Sequence, residues 1–106
     1  MGIIVIATFR PKPGKNELLM EAVREHLPVL RNEGLITDRK GYAMISEDGS
    51  IIEVFEWKSE EAIEKAHNSE AVQKLWKKFE EACEYIPLKE LKESNSIFPG
   101  FEPLDF

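Results

Sequence analysis

Few side chains in this sequence combine reactive chemistry with a placement that could use it. Glu53 stands between Ile51 and Phe55, on one face of a segment with the two-residue period of a strand. A carboxylate on such an apolar face needs a partner, and buried acids cluster at functional sites. Glu53 therefore serves either a ligand pocket, as acid or base, or an interface between two copies, paired with Arg10 or Arg39. His67 lies four residues after Ile63, at the end of a helical pattern. There an imidazole can exchange protons at a cleft mouth, or simply cap helix carbonyls. The large rings of Tyr42, Trp57, Trp76, Phe79 and Tyr85 line a pocket for an aromatic ligand or fill the core. His26 falls on an apolar helical stripe beside Pro28 and reads as a structural histidine.

Strong motifs are absent. The glycines form no phosphate-binding fingerprint, and no Gly-x-Ser-x-Gly elbow occurs. His26, His67 and Cys83 are too far apart for a local metal motif. The sequence thus points to no metal and no bound cofactor. Cys83 is the only cysteine, so no internal disulfide forms, and a reducing cytoplasm is the easier fit.

The elements that must position these residues follow from patterning. Ile3–Arg10 is rich in Ile and Val and bounded by Pro11, Pro13 and Gly14, which reads as a strand. A helix follows from Lys15 to Asn32, with its stripe at Leu19, Ala22, Val23, His26, Leu27 and Leu30. Pro28 should kink it or end its regular part near Leu27. Leu35–Ser46 reads as an irregular strand with a bulge at Gly41. Glu47-Asp48-Gly49-Ser50 is a hairpin turn, and Ile51–Trp57 returns as a strand. Ser59 and Ser69 cap two helical pieces, the second running from Glu70 to Glu84. Tyr85–Ser96 reads as a connector with one helical turn. Phe98–Leu104 reads as a last strand, restricted to an edge by Pro99 and Pro103.

The order β-α-β-β-α-β predicts an α+β, ferredoxin-like fold with an antiparallel sheet, as one domain over residues 1–106. Its first and third strands are central and apolar on both faces. Two helices cover only one face, so the other predicts a sheet-to-sheet homodimer.

Composition sets the outer limits. Acids number 20 and bases 14, for a net charge of −6. That argues against nonspecific binding to nucleic acid or to an anionic membrane. The N-terminal apolar run is far short of the ~20 residues that span a bilayer, and it lacks a cleavage-site pattern. A cytoplasmic protein is expected.

The segments ATFRPKPGK, EVFEWKSEEA, HNSEAVQKLWKKF and FPGFEPLDF resemble the antibiotic biosynthesis monooxygenase domain. The resemblance covers nearly the whole chain, and Trp57-Lys58-Ser59 is its best local marker. It implies a dimeric α/β barrel and a cofactor-independent monooxygenase acting on a small aromatic or quinone-like compound. The family's polyketide oxygenases use an Asn, a Trp, a Tyr and an Arg. Here the Trp matches Trp57, while the other positions fall on Glu53, Ile63 and near Lys77. The positions of the haem-degrading branch fall on Ala7, Ala66 and Trp76, which implies no haem. The resemblance and the residues together give Glu53 or His67 as base and Trp57 and Tyr42 as pocket wall. The alternatives are a non-catalytic dimeric binding or stress-response protein, and an isomerase-type barrel using the same base without oxygen.

Overall fold

β-Branched residues fill the central strands, and two serine-capped helices follow the second hairpin strand. The computed structural model describes residues 2–106. In chain order the elements are β1 (Ile3–Pro11), α1 (Asn16–Asn32), β2 (Tyr42–Ile45), β3 (Ile51–Trp57), α2 (Glu60–Ala66), α3 (Glu70–Ala82), β4 (Cys83–Tyr85) and β5 (Glu102–Leu104). Two 3₁₀ turns, Leu88–Glu90 and Lys92–Asn95, separate β4 from β5. The described strands make one antiparallel sheet in the order β4-β1-β3-β2-β5. Its first four members have the ferredoxin-like order.

The caps form as expected. Ser59 Oγ accepts from the Ala62 N–H at 3.1 Å, and Ser69 Oγ from the Val72 N–H at 3.3 Å. Gly49, at φ 90°, supplies the left-handed residue of the β2–β3 hairpin.

Three expectations are corrected. The fourth strand of the motif is not Phe98–Leu104. It is Cys83–Tyr85, pairing with Phe9–Pro11 directly after α3, which ends at Ala82 rather than Glu84. Three residues are too few to show a period, so only their partners define that strand. The C-terminal strand is shorter, Glu102–Leu104, and pairs with β2 on the opposite edge. There Pro103 sits at an edge, as its missing N–H requires. α1 reaches Asn32, where the sequence pattern ends it, with Pro28 inside the helix. Pro28 is exposed, so the carbonyl that loses its partner can turn to water. Gly41 is not a bulge within a strand: the pairing of β2 begins after it, and an isolated bridge joins Ile36 to Trp57. A Cβ at Gly41 would collide with Leu27 and lie 3.0 Å from the Val54 carbonyl oxygen. The glycine thus lets α1 approach the sheet.

Strand alternation divides the side chains between two faces. Ile3, Val5, Ala7 and Phe9 of β1, with Ile51, Glu53, Phe55 and Trp57 of β3, face the helices. Ile4, Ile6, Thr8, Ile52 and Val54 face away. That second face is not bare along its whole length. The chain must travel from β4 on one edge to β5 on the other, and the helices occupy one side. It crosses the open face, where Leu91, Thr8 and Ile52 are buried without a helix above them. The Glu93 carboxylate pins this segment to the hairpin, accepting from Ser46 Oγ at 2.8 Å and from the Glu47 N–H at 2.9 Å. Ile4, Ile6 and Tyr42 remain exposed, at 58%, 56% and 62%. No described helix is long and apolar enough to cross a membrane.

Candidate functional site

One row across the helix-covered face decides the site. Glu53 of β3 lies directly opposite Ala7 of β1 and Ala43 of β2. Two methyl groups flank the carboxylate where larger side chains would fill the space. Into it α1 lowers His26, held on its buried stripe with Leu19, Ala22, Val23 and Leu30. His26 Nδ1 stands 2.5 Å from Glu53 Oε1, and the two side chains are 7% and 2% exposed. Burying either group alone would cost several kcal/mol, on the order of 3–5, so each is the reason the other is tolerated.

An ionised carboxylate only accepts, so toward a carboxylate Nδ1 is the donor, and in a neutral imidazole that donates from Nδ1 the lone pair is on Nε2. Nε2 has no hydrogen-bond partner among the described residues. Phe9, Phe55 and Phe79 meet the imidazole ring edge-on, with centroids at 6.5, 5.4 and 4.9 Å. These contacts fix the ring plane without competing for its nitrogens.

The imidazole forms part of the wall of a cavity of about 400 Å³ between the sheet and α3. Six rings, Phe9, Phe55, Trp57, Trp76, Phe79 and Tyr85, complete the lining with Val5 and Ala7. The cavity is apolar apart from the imidazole, the indole N–H groups and the Tyr85 hydroxyl. Partial burial, with Cys83 and Glu80 nearby, pushes that hydroxyl up to about 12, so Tyr85 is a donor at neutral pH. Cys83 is buried, with its thiol 3.2 Å from the Phe79 carbonyl oxygen, and burial pushes it up to about 11. It has no thiolate character for nucleophilic chemistry. Among the described residues no three His, Cys, Asp or Glu side chains gather as a metal site.

The residues singled out in the sequence scatter differently from the expectation. Glu53, Trp57, Trp76 and Phe79 come together around this cavity or its wall. Tyr42 does not. It pairs with Val54, so alternation turns it to the open face, with Lys40 Nζ 6.0 Å from its ring. His67 does not face the sheet. α2 ends at Ala66, and His67 is exposed beyond the last turn, its ring edge against Trp76 at 5.1 Å. Neither proposed interface cation reaches Glu53. Arg10 lies 3.7 Å from Asp48, and Arg39 2.9 Å from Glu56. Both are on the side of the sheet away from the helices.

His26, read as structural, is the partner that sequence reasoning passed over. Its signal was present: a polar residue on the buried stripe of one element and an acid on the buried face of another call for each other.

A family model described as antibiotic biosynthesis monooxygenase matches residues 2–78. The chain belongs to the antibiotic biosynthesis monooxygenase family. The matched region carries His26, Glu53, Trp57 and Trp76, whereas Phe79 and Tyr85 lie beyond it. The α+β fold with its antiparallel sheet is that expected of this family. No curated protein and no solved structure matches the chain.

Proposed function

We propose that this protein is a cofactor-independent monooxygenase that oxidises a small hydroxylated aromatic compound to a quinone. The observation that carries this reading is the buried His26–Glu53 dyad, with a free imidazole nitrogen, in the wall of an aromatic cavity. A flat aromatic ligand fits such a cavity by stacking and by leaving water, and Tyr85 can donate to its oxygen. His26 Nε2 takes the hydroxyl proton, and Glu53 stabilises the imidazolium that forms. The electron-rich aryloxide gives one electron to O₂, and the two radicals combine at ring carbon to a peroxide. The peroxide takes the proton back from His26, the O–O bond breaks as the carbon loses its hydrogen, and water leaves. One oxygen atom enters the product and the other becomes water. Of the sequence candidates, Glu53, expected as the base, becomes the support to a base on His26, and Trp57, Trp76 and Phe79 keep their role as wall. His67 and Tyr42 take none.

The test is oxygen uptake with a panel of hydroxynaphthalenes. The expected result is uptake equal to quinone formed. His26→Phe preserves the ring contacts and should lower kcat by about 10²–10⁴-fold. Tight binding with no uptake would leave a binding protein, and turnover without O₂ an isomerase.

The same reading includes a homodimer through the open face, where Ile4, Ile6 and Tyr42 stand exposed beside Val54. A second copy related by twofold symmetry would place these apolar rows against each other, with the Arg39–Glu56 and Arg10–Asp48 pairs at the rim.

A further inference from the structure

The dyad has a second side. Behind it lies another cleft, of about 620 Å³, between α1 and the β2–β5 edge. Glu53 lines this cleft and His26 does not, whereas His26 lines the aromatic cavity and Glu53 does not. His26 occupies Oε1 of Glu53. Oε2 has no hydrogen-bond partner among the described residues and is not among the fully sealed polar atoms, although the side chain is only 2% exposed. An acceptor is thus left open at the floor of a cleft.

The rim has the opposite character. Arg24 and Arg31, two turns apart on α1, and Lys40 from the following loop all line the cleft. None of the three makes an ion pair among the described residues, in a chain whose net charge is −6. Arg24 lies 5.2 Å from the Phe106 ring centroid, which leaves its charge unneutralised. Asp38 and Asp105 also line the cleft, so it is not a uniformly basic patch. Leu27 and Leu104 add apolar side chains to the lining.

We propose that this cleft is a second ligand site, for a small carboxylic acid that carries a hydroxyl at its far end. The carboxylate meets Arg24, Arg31 and Lys40, where a planar guanidinium can grip it with two parallel hydrogen bonds. The hydrocarbon body lies over Leu27 and Leu104. The hydroxyl donates to Glu53 Oε2, completing a buried carboxylate oxygen that has no hydrogen-bond partner among the described residues. Because Glu53 also holds His26, an occupant of the cleft changes the bond that orients the imidazole in the other cavity. This site stands independently of the chemistry proposed for the aromatic cavity.

The probe is 4-hydroxybenzoate, titrated into the nitrogen-15-labelled full chain and followed by NMR. Saturable shifts are expected at the Arg24, Arg31 and Lys40 signals and at the His26 imidazole nitrogens. Arg24→Gln/Arg31→Gln, both on the exposed side of α1, should weaken binding by roughly tenfold or more. Benzoate, which lacks the hydroxyl, should bind more weakly and leave the imidazole signals in place. The proposal is overturned by absence of saturable binding, by undiminished affinity in the double variant, by equal binding of benzoate, or by shifts confined to the Trp57 and Trp76 indoles. That last result would put the probe in the aromatic cavity.

Discussion

Replacing Glu53 tests the centre of the molecule most directly. The variants Glu53→Gln and Glu53→Ala treat the His26 bond differently. An amide oxygen can still accept from Nδ1, but the charge is gone. A hydrogen bond to a charged group contributes about 1.5–3 kcal/mol and a neutral one about 0.5–1.5, so Glu53→Gln should cost about 1 kcal/mol. Alanine removes the acceptor altogether. The residues directly opposite position 53 are Ala7 and Ala43, which offer no replacement, so the imidazole hydrogen is stranded in the interior. That penalty is about 1–3 kcal/mol, with a cavity term added, for a total of roughly 3–5 kcal/mol. At about 4–8 °C per kcal/mol for a domain of this size, Tm should fall by roughly 4–8 °C for Gln and by more than about 12 °C for Ala. Urea unfolding measures the free energies. Exchanging both partners for apolar groups, His26→Phe with Glu53→Leu, should recover much of the loss, since no polar atom is then left unpaired. The reasoning fails if both single replacements cost less than about 0.5 kcal/mol, or if the effects of His26→Phe and Glu53→Leu simply add in the double variant. Turnover is expected to separate from stability. The Gln amide can rotate and donate to Nδ1, which moves the imidazole hydrogen to Nε2 and removes the base. kcat should therefore drop at least about 10²-fold in a variant that remains folded.

Further outcomes are expected elsewhere in the molecule. Light scattering at micromolar concentration should give about twice the chain mass of 12.2 kDa, and Ile6→Asp, on the open face, should return a monomer; a wild-type monomer mass would refute the sheet-to-sheet dimer. Hydrogen bonds from the Glu47 N–H and the Ser46 hydroxyl hold the Glu93 carboxyl below its ordinary 4.5. A depressed folded value means the stabilisation is present above the unfolded value and is lost as pH falls below about 4.5, so Glu93→Gln should flatten the acid limb of the stability curve measured by urea unfolding. The Cys83 thiol, buried and raised to about 11, should resist a disulfide reagent near neutral pH in the native protein and react at once in urea; rapid native reaction would show that the end of α3 opens.

Much of this molecule is determined by local pattern. β-Branched runs specify β1 and β3, the Asp-Gly turn specifies the hairpin, and Ser59 and Ser69 specify where α2 and α3 begin. Each is decided by residues within one or two turns of chain, where spacing and side-chain chemistry act directly. The buried position of Glu53 was also legible, because a strand period of two places it between Ile51 and Phe55. The rest depended on contacts that no local window contains. β4 exists because Phe9–Pro11 offers a free edge to three residues with no pattern of their own. The C-terminal strand found the far edge because α3 delivers Cys83–Tyr85 to the near one first. Tyr42 turned away from the cavity through a register that begins after Gly41, where α1 leaves no room for a side chain. His26 and Glu53, distant in sequence and each unfavourable alone, became a dyad only when α1 was laid across β3 between two alanines. The fold is what makes their burial favourable, since a buried charge is tolerated only beside the group that satisfies it.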